Sequence, residues 1–266
     1  MGRALAATIT LIFLVTCGLF VVRPWWFPAS ISASASPIDH QFAITFVVCG
    51  ILFALAQVTL ALFVWRYSGD RRGAEIPGGR GNARLERIWA VLVTVLFLWV
   101  GVAGYRVWAR TSVPAPEPGA LRVEAWGEQF AWYFRYPGPD GQFGPIHPNL
   151  MNDGIGNYLG LDRDNDVATR DDIVTATLTV PVGRPVALMV RSKDVIHSFF
   201  VRELRVKQDA IPGKISAIHF TAERTGRYEI ICSELCGLGH YKMHADFDVV
   251  TADEFQQWLL RQAQSQ

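Results

Sequence analysis

The sequence predicts an α+β membrane protein: two or three transmembrane helices at the N-terminus, an all-β domain of sandwich or barrel type, and a short C-terminal helix. Three observations carry that prediction. Long uncharged apolar runs fill much of the first 110 residues. From about residue 120 the apolar runs become short and are bounded by Gly, Pro and Asp. The formal net charge of +1 conceals a division: residues 1–110 carry ten Arg against four acids, and residues 111–266 carry fifteen Lys or Arg against twenty acids. A basic apolar half followed by an acidic polar half is the pattern of a membrane anchor with an exposed domain.

The first run, 4–22, has nineteen uncharged residues behind Met1-Gly2-Arg3. A spanning helix needs roughly 20 apolar residues. A cleaved leader is the alternative, given the basic start and the small residues of 30–36. The length of the run, and the aromatic cluster Pro24-Trp25-Trp26-Phe27-Pro28 behind it, favour a retained helix with an interfacial belt. The second and third helices are expected near 42–65 and 88–108. The loop between them holds Arg66, Arg71, Arg72, Arg80, Arg84 and Arg87, which places it on the cytoplasmic side. Residues 24–40 and everything after about 110 then lie outside. The anchor is expected to occupy 1–110, with a Pro-rich linker at 111–120.

Strands are expected at 121–126, 130–136, 173–180, 185–190, 197–206, 215–220, 227–232 and 244–250, from β-branched and aromatic runs between turn residues. Seven or eight strands within 121–250 suit a sandwich or barrel. Thr251 followed three residues later by Glu254 is a capping box and opens a helix over 251–266.

The chemistry concentrates in Cys232-Ser233-Glu234-Leu235-Cys236-Gly237-Leu238-Gly239-His240-Tyr241-Lys242-Met243. Thiolate, thioether and imidazole together favour copper over harder ions. A single-copper site needs one Cys; two thiolates this close can bridge two ions if a second imidazole arrives. His197, thirty-five residues upstream of Cys232, is the candidate. Each copper would take one imidazole and share both thiolates, with Met243 sulfur a weak axial ligand to one and the Glu234 carbonyl facing the other. A Cys232–Cys236 disulfide, a Cys₂His₂ zinc site and a mononuclear copper site are the alternatives. Cys17 and Cys49 lie in apolar runs and read as small hydrophobes.

Asp194-Val195-Ile196-His197, Asp209-Ala210-Ile211-Pro212-Gly213 and Cys232-Ser233-Glu234-Leu235-Cys236-Gly237 resemble subunit II of the haem–copper cytochrome c oxidases. The resemblance covers the chain from about Phe42 and is most specific at the Cys loop. It implies a cupredoxin-like domain outside the membrane and a binuclear copper centre, CuA, with His197, Cys232, Cys236, His240, Met243 and the Glu234 carbonyl as ligands. It argues against the related quinol oxidase subunits, which lack these ligands. It further implies a magnesium or manganese ion at the interface with the catalytic subunit, held by the Glu234 side chain, with Asp209 near its water shell.

Two more stretches resemble the family. In Trp126-Gly127-Glu128-Gln129-Phe130-Ala131-Trp132-Tyr133-Phe134-Arg135-Tyr136, Phe130 stands where the family has an exposed Trp that takes up electrons where cytochrome c docks. That departure leaves Phe130, with Trp132 next, as the candidate electron-uptake aromatics. Alternating aromatics on a strand are, on their own, core residues. Leu85-Glu86-Arg87-Ile88-Trp89 resembles the start of the family's last membrane helix, which implies that Glu86 lies at the mouth of a proton-uptake path. An interfacial acid favoured by the helix dipole is the plainer reading.

Asp162-Arg163-Asp164-Asn165-Asp166 alternates acids as a calcium loop does, but Val167 and Ile173 stand where an EF-hand needs Gly and Glu. With Asp171 and Asp172 it is expected to contribute to an acidic field that attracts a basic cytochrome c.

The expectation is therefore the electron-accepting subunit of a terminal oxidase, not catalytic alone, in the plasma membrane of a bacterium with its β domain on the outer face. Its expected partners are a haem-containing catalytic subunit, cytochrome c or a similar donor, and the lipid bilayer, with no nucleic acid. A CuA subunit of a related nitric oxide reductase and a membrane-anchored copper carrier are the alternatives.

Overall fold

The computed structural model describes residues 2–22, 27–67, 81–111 and 118–264. The aromatic cluster at 24–26, the central part of the Arg-rich loop at 68–80 and most of the Pro-rich linker, 112–117, lie outside the described residues. The chain divides into two units, one of helices and one of strands.

In the helical unit, α1 spans Gly2–Val22, α2 Ala35–Tyr67 and α3 Ala83–Thr111. All three are long and apolar enough to cross a membrane. α2 begins seven residues earlier than the apolar run suggests, because Pro37 falls in its first turn, where a missing N–H costs nothing. α3 is opened by Asn82, whose side-chain oxygen accepts from the N–H groups of Arg84 and Leu85 at 3.1 and 3.2 Å. Phe13 of α1 meets Phe53 of α2 with ring centroids 6.1 Å apart.

Among the described residues ten strands form two five-stranded sheets. One has the order β3-β2-β1-β5-β8 and the other β4-β10-β9-β6-β7. The strands are β1 Leu121–Glu128, β2 Ala131–Tyr136, β3 Ile173–Thr175, β4 Leu178–Pro181, β5 Pro185–Ser192, β6 His197–Val201, β7 Val206–Ala210, β8 Ser216–Thr221, β9 Gly226–Cys232 and β10 His244–Val250. Pairing is antiparallel except for β1 with β5 and β10 with β4. Inward residues such as Val123, Phe134, Leu188, Phe199, Ile230 and Phe247 are fully buried and form the core of a cupredoxin-like sandwich. The Tyr136 hydroxyl links the sheets, donating to the Thr179 carbonyl at 2.9 Å and accepting from the Thr179 N–H at 2.7 Å.

Two expected strands divide. The run 197–206 becomes β6 and β7, joined by a turn in which Arg205 has φ 60°. The run 173–180 becomes β3 and β4, which lie in different sheets. Phe130, expected on a strand, instead lies in the turn between β1 and β2. The helix α4, Ala252–Gln264, starts with both bonds of the capping box: the Glu254 N–H donates to Thr251 Oγ1 at 3.3 Å, and the Thr251 N–H to Glu254 Oε2 at 2.8 Å. Phe255 and Trp258 on its inner face pack on Tyr136.

The segment Phe27–Ser36 belongs to the strand unit rather than to the helices on either side of it. Ile31 is buried in the sandwich core. Its N–H donates to the Glu203 carbonyl at 3.0 Å, and its carbonyl accepts from Glu223 at 2.7 Å. Ser32 forms a β-bridge with Ala222, and Arg205 donates to the Pro28 carbonyl at 2.9 Å. The small residues that look like a leader's cleavage region are thus a strap on the β domain.

Residues 137–172 leave the sheet between β2 and β3 and are tied back by a buried ion network. Arg135 bonds Glu124 at 3.3 Å, the Gly144 carbonyl at 2.6 Å and Asp172. Glu124 also accepts from Trp126 Nε1 and Arg191, both at 3.1 Å. Asp172 is fully buried here, so it adds nothing to an exposed acidic field, contrary to the expectation from sequence. Asp162 is occupied locally, accepting from the Asn165 backbone N–H and side-chain amide at 3.0–3.1 Å.

Two outcomes follow. Ile31→Ala should cost about 2–5 kcal/mol, the range for truncating a buried aliphatic side chain, measured as a lower midpoint in denaturant unfolding of the β domain. Arg135→Met leaves Glu124 and Asp172 without their shared cation and should cost about 3–5 kcal/mol, with faster amide exchange across 137–172.

Candidate metal centre

Strand pairing assembles the site. β6 runs antiparallel to β9 with Phe199 opposite Cys232. This sets His197, at the start of β6, beside Cys232, at the end of β9. His197 Nδ1 lies 3.9 Å from Cys232 Sγ, and Cys232 Sγ lies 3.8 Å from Cys236 Sγ. The thiols are free, well beyond the ~2.05 Å of a disulfide bond. Cys236 Sγ is in turn 3.6 Å from His240 Nδ1 and 3.7 Å from Met243 Sδ. The Glu234 carbonyl accepts from Cys232 Sγ at 3.3 Å. All six expected positions therefore converge, and His197, Cys232 and Cys236 are buried.

The loop between β9 and β10 is closed at its base by the Cys232 N–H donating to the Met243 carbonyl at 3.0 Å. A single 3₁₀ turn, His240–Lys242, brings His240 and Met243 back to the thiols. Ser233 N–H donates to the Ser198 carbonyl at 3.0 Å, joining the loop to β6.

Asp194 orients the upstream imidazole. Its Oδ1 is 2.8 Å from His197 Nε2, and its Oδ2 accepts from the Gln129 N–H at 2.8 Å. With the proton on Nε2, Nδ1 presents its lone pair to the thiols, as a metal-ligating imidazole requires. Burial opposes ionisation of the Cys232 thiol, but the bond to His197 and further loop contacts outweigh it and bring it down to about 6. Burial, then the charge on Cys232, push Cys236 up to about 11. The pair thus gives up its first proton more easily than its second, and a bound cation would displace both. Two soft sulfurs bracketed by two imidazoles, with a thioether and a carbonyl at the flanks, fit a copper pair.

The β1–β2 turn covers this loop. Gly127 packs so closely that a Cβ there would stand 3.0 Å from His197 Cδ2. The Gln129 side chain donates to the Cys236 carbonyl at 2.5 Å. The Phe130 ring lies against Gly239, where a Cβ would come within 2.4 Å of it. Phe130 remains 40% exposed, whereas Trp132 is 2% exposed and sits edge-on to His197 at 6.0 Å. Of the two candidate aromatics, only Phe130 reaches the surface. Leu235, Leu238, Tyr241 and Ile196 form an exposed apolar rim.

Glu234 has an exposed side chain. Asp209 accepts from Ser198 Oγ at 2.7 Å and Lys207 Nζ at 3.1 Å, and these two bonds, Ser198 first, hold its carboxyl below the usual range. Ser198 also accepts from Ser233, which links Asp209 to the residue before Glu234. Glu86 lies in the first turn of α3, exposed. The roles of Gly127, Gln129 and Asp194 at the site do not show in the sequence, although all three stand in stretches that resemble the family. Their only signal was proximity to the motif residues, because none is itself a metal ligand.

Gly127→Ala should push the His197 ring from its place and weaken metal binding by about tenfold to a hundredfold, the range for disturbing a ligand's support, measured by competition with a copper chelator.

Residues 121–250 match the family model described as the periplasmic domain of cytochrome c oxidase subunit II. The alternative cytochrome c oxidase subunit 2 of Bradyrhizobium diazoefficiens is 34% identical over an alignment of 267 positions, gaps included, that covers 97% of this chain and 92% of that protein. The cytochrome c oxidase subunit 2 of Thermostichus vulcanus is 30% identical, over 87% of this chain and 76% of that protein. Among solved structures, the periplasmic domain of subunit II of the cytochrome oxidase of Bradyrhizobium japonicum is similar at 31% identity, with a TM-score of 0.42, over 57% of this chain and 98% of that one. The family model and the 34% identical relative, which aligns over nearly the whole chain, establish that the chain belongs to the cytochrome c oxidase subunit II family.

Proposed function

We propose that this subunit receives electrons from cytochrome c at a CuA centre and delivers them to a haem of the catalytic subunit. The observation that carries the reading is the donor set: paired thiols 3.8 Å apart, each with an imidazole Nδ1 turned towards it. His197, Cys232, Cys236, His240, Met243 and the Glu234 carbonyl would hold two copper ions. When bound, the pair would supply one-electron redox chemistry that feeds oxygen reduction and proton translocation in the catalytic subunit.

The chain's own residues prepare that exchange. Burial of His197, Cys232, Cys236 and Met243 excludes water from the sulfurs. The strand pairing and the Asp194 bond keep the donors from rearranging. The rim of Phe130, Leu235, Leu238 and Tyr241 offers an apolar surface where a partner can approach without stranding polar groups. The exposed Glu234 carboxylate and Asp209 would serve a magnesium or manganese ion shared with the catalytic subunit, as hard oxygen donors suit such ions. Glu86, in the first turn of α3, would stand at a proton-uptake path on the opposite side.

Charge supports this placement. Arg66, Arg71, Arg72, Arg80, Arg84 and Arg87 fall between the second and third apolar stretches. The Arg-bearing loop between them then faces the cytoplasm of a bacterium, and the β domain lies outside the plasma membrane.

Rapid mixing of the assembled complex with reduced cytochrome c tests the reading. A phase of electron uptake should precede haem reduction, and Cys236→Ser should abolish it together with copper binding. Haem reduction at an unchanged rate in that variant would contradict the proposal. Met243→Leu should leave copper bound while shifting the potential and slowing uptake; complete loss of copper would contradict a minor share for Met243 in holding it.

A further inference from the structure

The two thiols are held in different ways. Cys232 ends β9, and its position is set by pairing with Phe199 and by its N–H bond to the Met243 carbonyl. Cys236 lies in mid-loop, between exposed Leu235 and Gly237, whose φ is +136°. Glycine backbone is soft, so this stretch has little stiffness of its own. The backbone–backbone bonds that stiffen the loop itself lie downstream: His240 N–H to the Gly237 carbonyl at 3.1 Å and Lys242 N–H to the Gly239 carbonyl at 3.0 Å.

What holds the Cys236 carbonyl comes from another part of the chain. The Gln129 side-chain amide donates to the Cys236 carbonyl at 2.5 Å. The amide's orientation follows from its partner, since a flipped amide would set two carbonyl oxygens against each other. Gln129 is anchored through its own N–H to Asp194 Oδ2, and Asp194 Oδ1 bonds His197 Nε2. One carboxylate thus sets both the upstream imidazole and the residue that grips the second thiol's backbone. The turn fits flush: a Cβ at Gly237 would come within 2.8 Å of Gln129 Nε2 and 3.2 Å of the Phe130 ring.

We propose that Gln129 is a positioning residue for the metal loop: its amide, anchored through Asp194, fixes the Cys236 carbonyl, so that the β1–β2 turn determines where the second thiolate stands. The inference rests on the copper reading for its purpose but not for its geometry. A one-electron site works fastest when its ligands move least, and Gln129 restrains the donor that the loop leaves softest. The side chain lies at an exposed turn, so its replacement leaves the core intact.

The test uses the full-length chain in detergent with Gln129→Met and Gln129→Glu, both close in size and neither able to donate. In metal-free protein, amide exchange across 233–240 should rise about twofold to tenfold, the loss expected for one hydrogen bond, with β1, β5 and β9 unchanged. In copper-loaded protein, release to a chelator should accelerate by a similar factor, and the hyperfine couplings of the two coppers should become unequal. Loop exchange that matches the parent in both variants would overturn the inference, as would a rise spread over all strands. A parent chain that binds no copper pair would sink the proposed function instead, and the metal-free exchange would still decide the role of Gln129.

Discussion

Pairing of β6 with β9 is the constraint on which the site depends. His197 and Cys232 are thirty-five positions apart, and the register that sets Phe199 opposite Cys232 brings their donor atoms within reach. A shift of one residue in either strand would turn one donor to the other face of the sheet. The register is in turn enforced by the core: Phe199, Val201 and Ile230 are inward-facing and fully buried, so a slip would expose them all. The cost of misplacing one ligand is thereby the cost of unpacking a sheet, which is why a site of soft, mobile donors can be rigid.

Around that fixed pair the remaining donors are recruited by local means. The loop returns through one 3₁₀ turn to deliver His240 and Met243. Asp194 fixes the His197 tautomer, and the β1–β2 turn is seated on the loop's glycines. Burial opposes ionisation of both thiols; at Cys232 the bond to His197 and the loop contacts overcome it, while at Cys236 the neighbouring Cys232 charge adds to it. The same burial keeps water away from the sulfurs while Leu235, Leu238 and Tyr241 stay exposed around them. A dry centre beneath an apolar rim is suited to exchanging electrons with a docked partner.

Much of this was legible in the sequence, for reasons that differ by element. The three helices announce themselves by uncharged length, and Thr251 with Glu254 by a local capping rule. The ligands were legible because soft donors rarely cluster within twelve residues. The division of 173–180 between two sheets was not, since the apolar pattern continues through Thr175 and the change of sheet is a tertiary event. Nor was the strap at 27–36: Ile31 sits among Ser and Ala and shows its role only once Glu203 and Glu223 are placed beside it. Gln129 was read with its motif, yet its amide acts on a carbonyl 107 residues away, a bond that no local pattern encodes. Asp172 illustrates the reverse error, since an acid in an acidic loop looks solvated until Arg135 is found against it.

The central claim is that the two thiols, with their imidazoles, would hold a pair of coppers acting as one electronic unit. Electron paramagnetic resonance of the copper-loaded chain tests it most directly. One unpaired electron shared by two equivalent coppers is predicted, visible as hyperfine splitting from both nuclei. A spectrum from a single copper, or no signal after full loading and oxidation, would contradict the account.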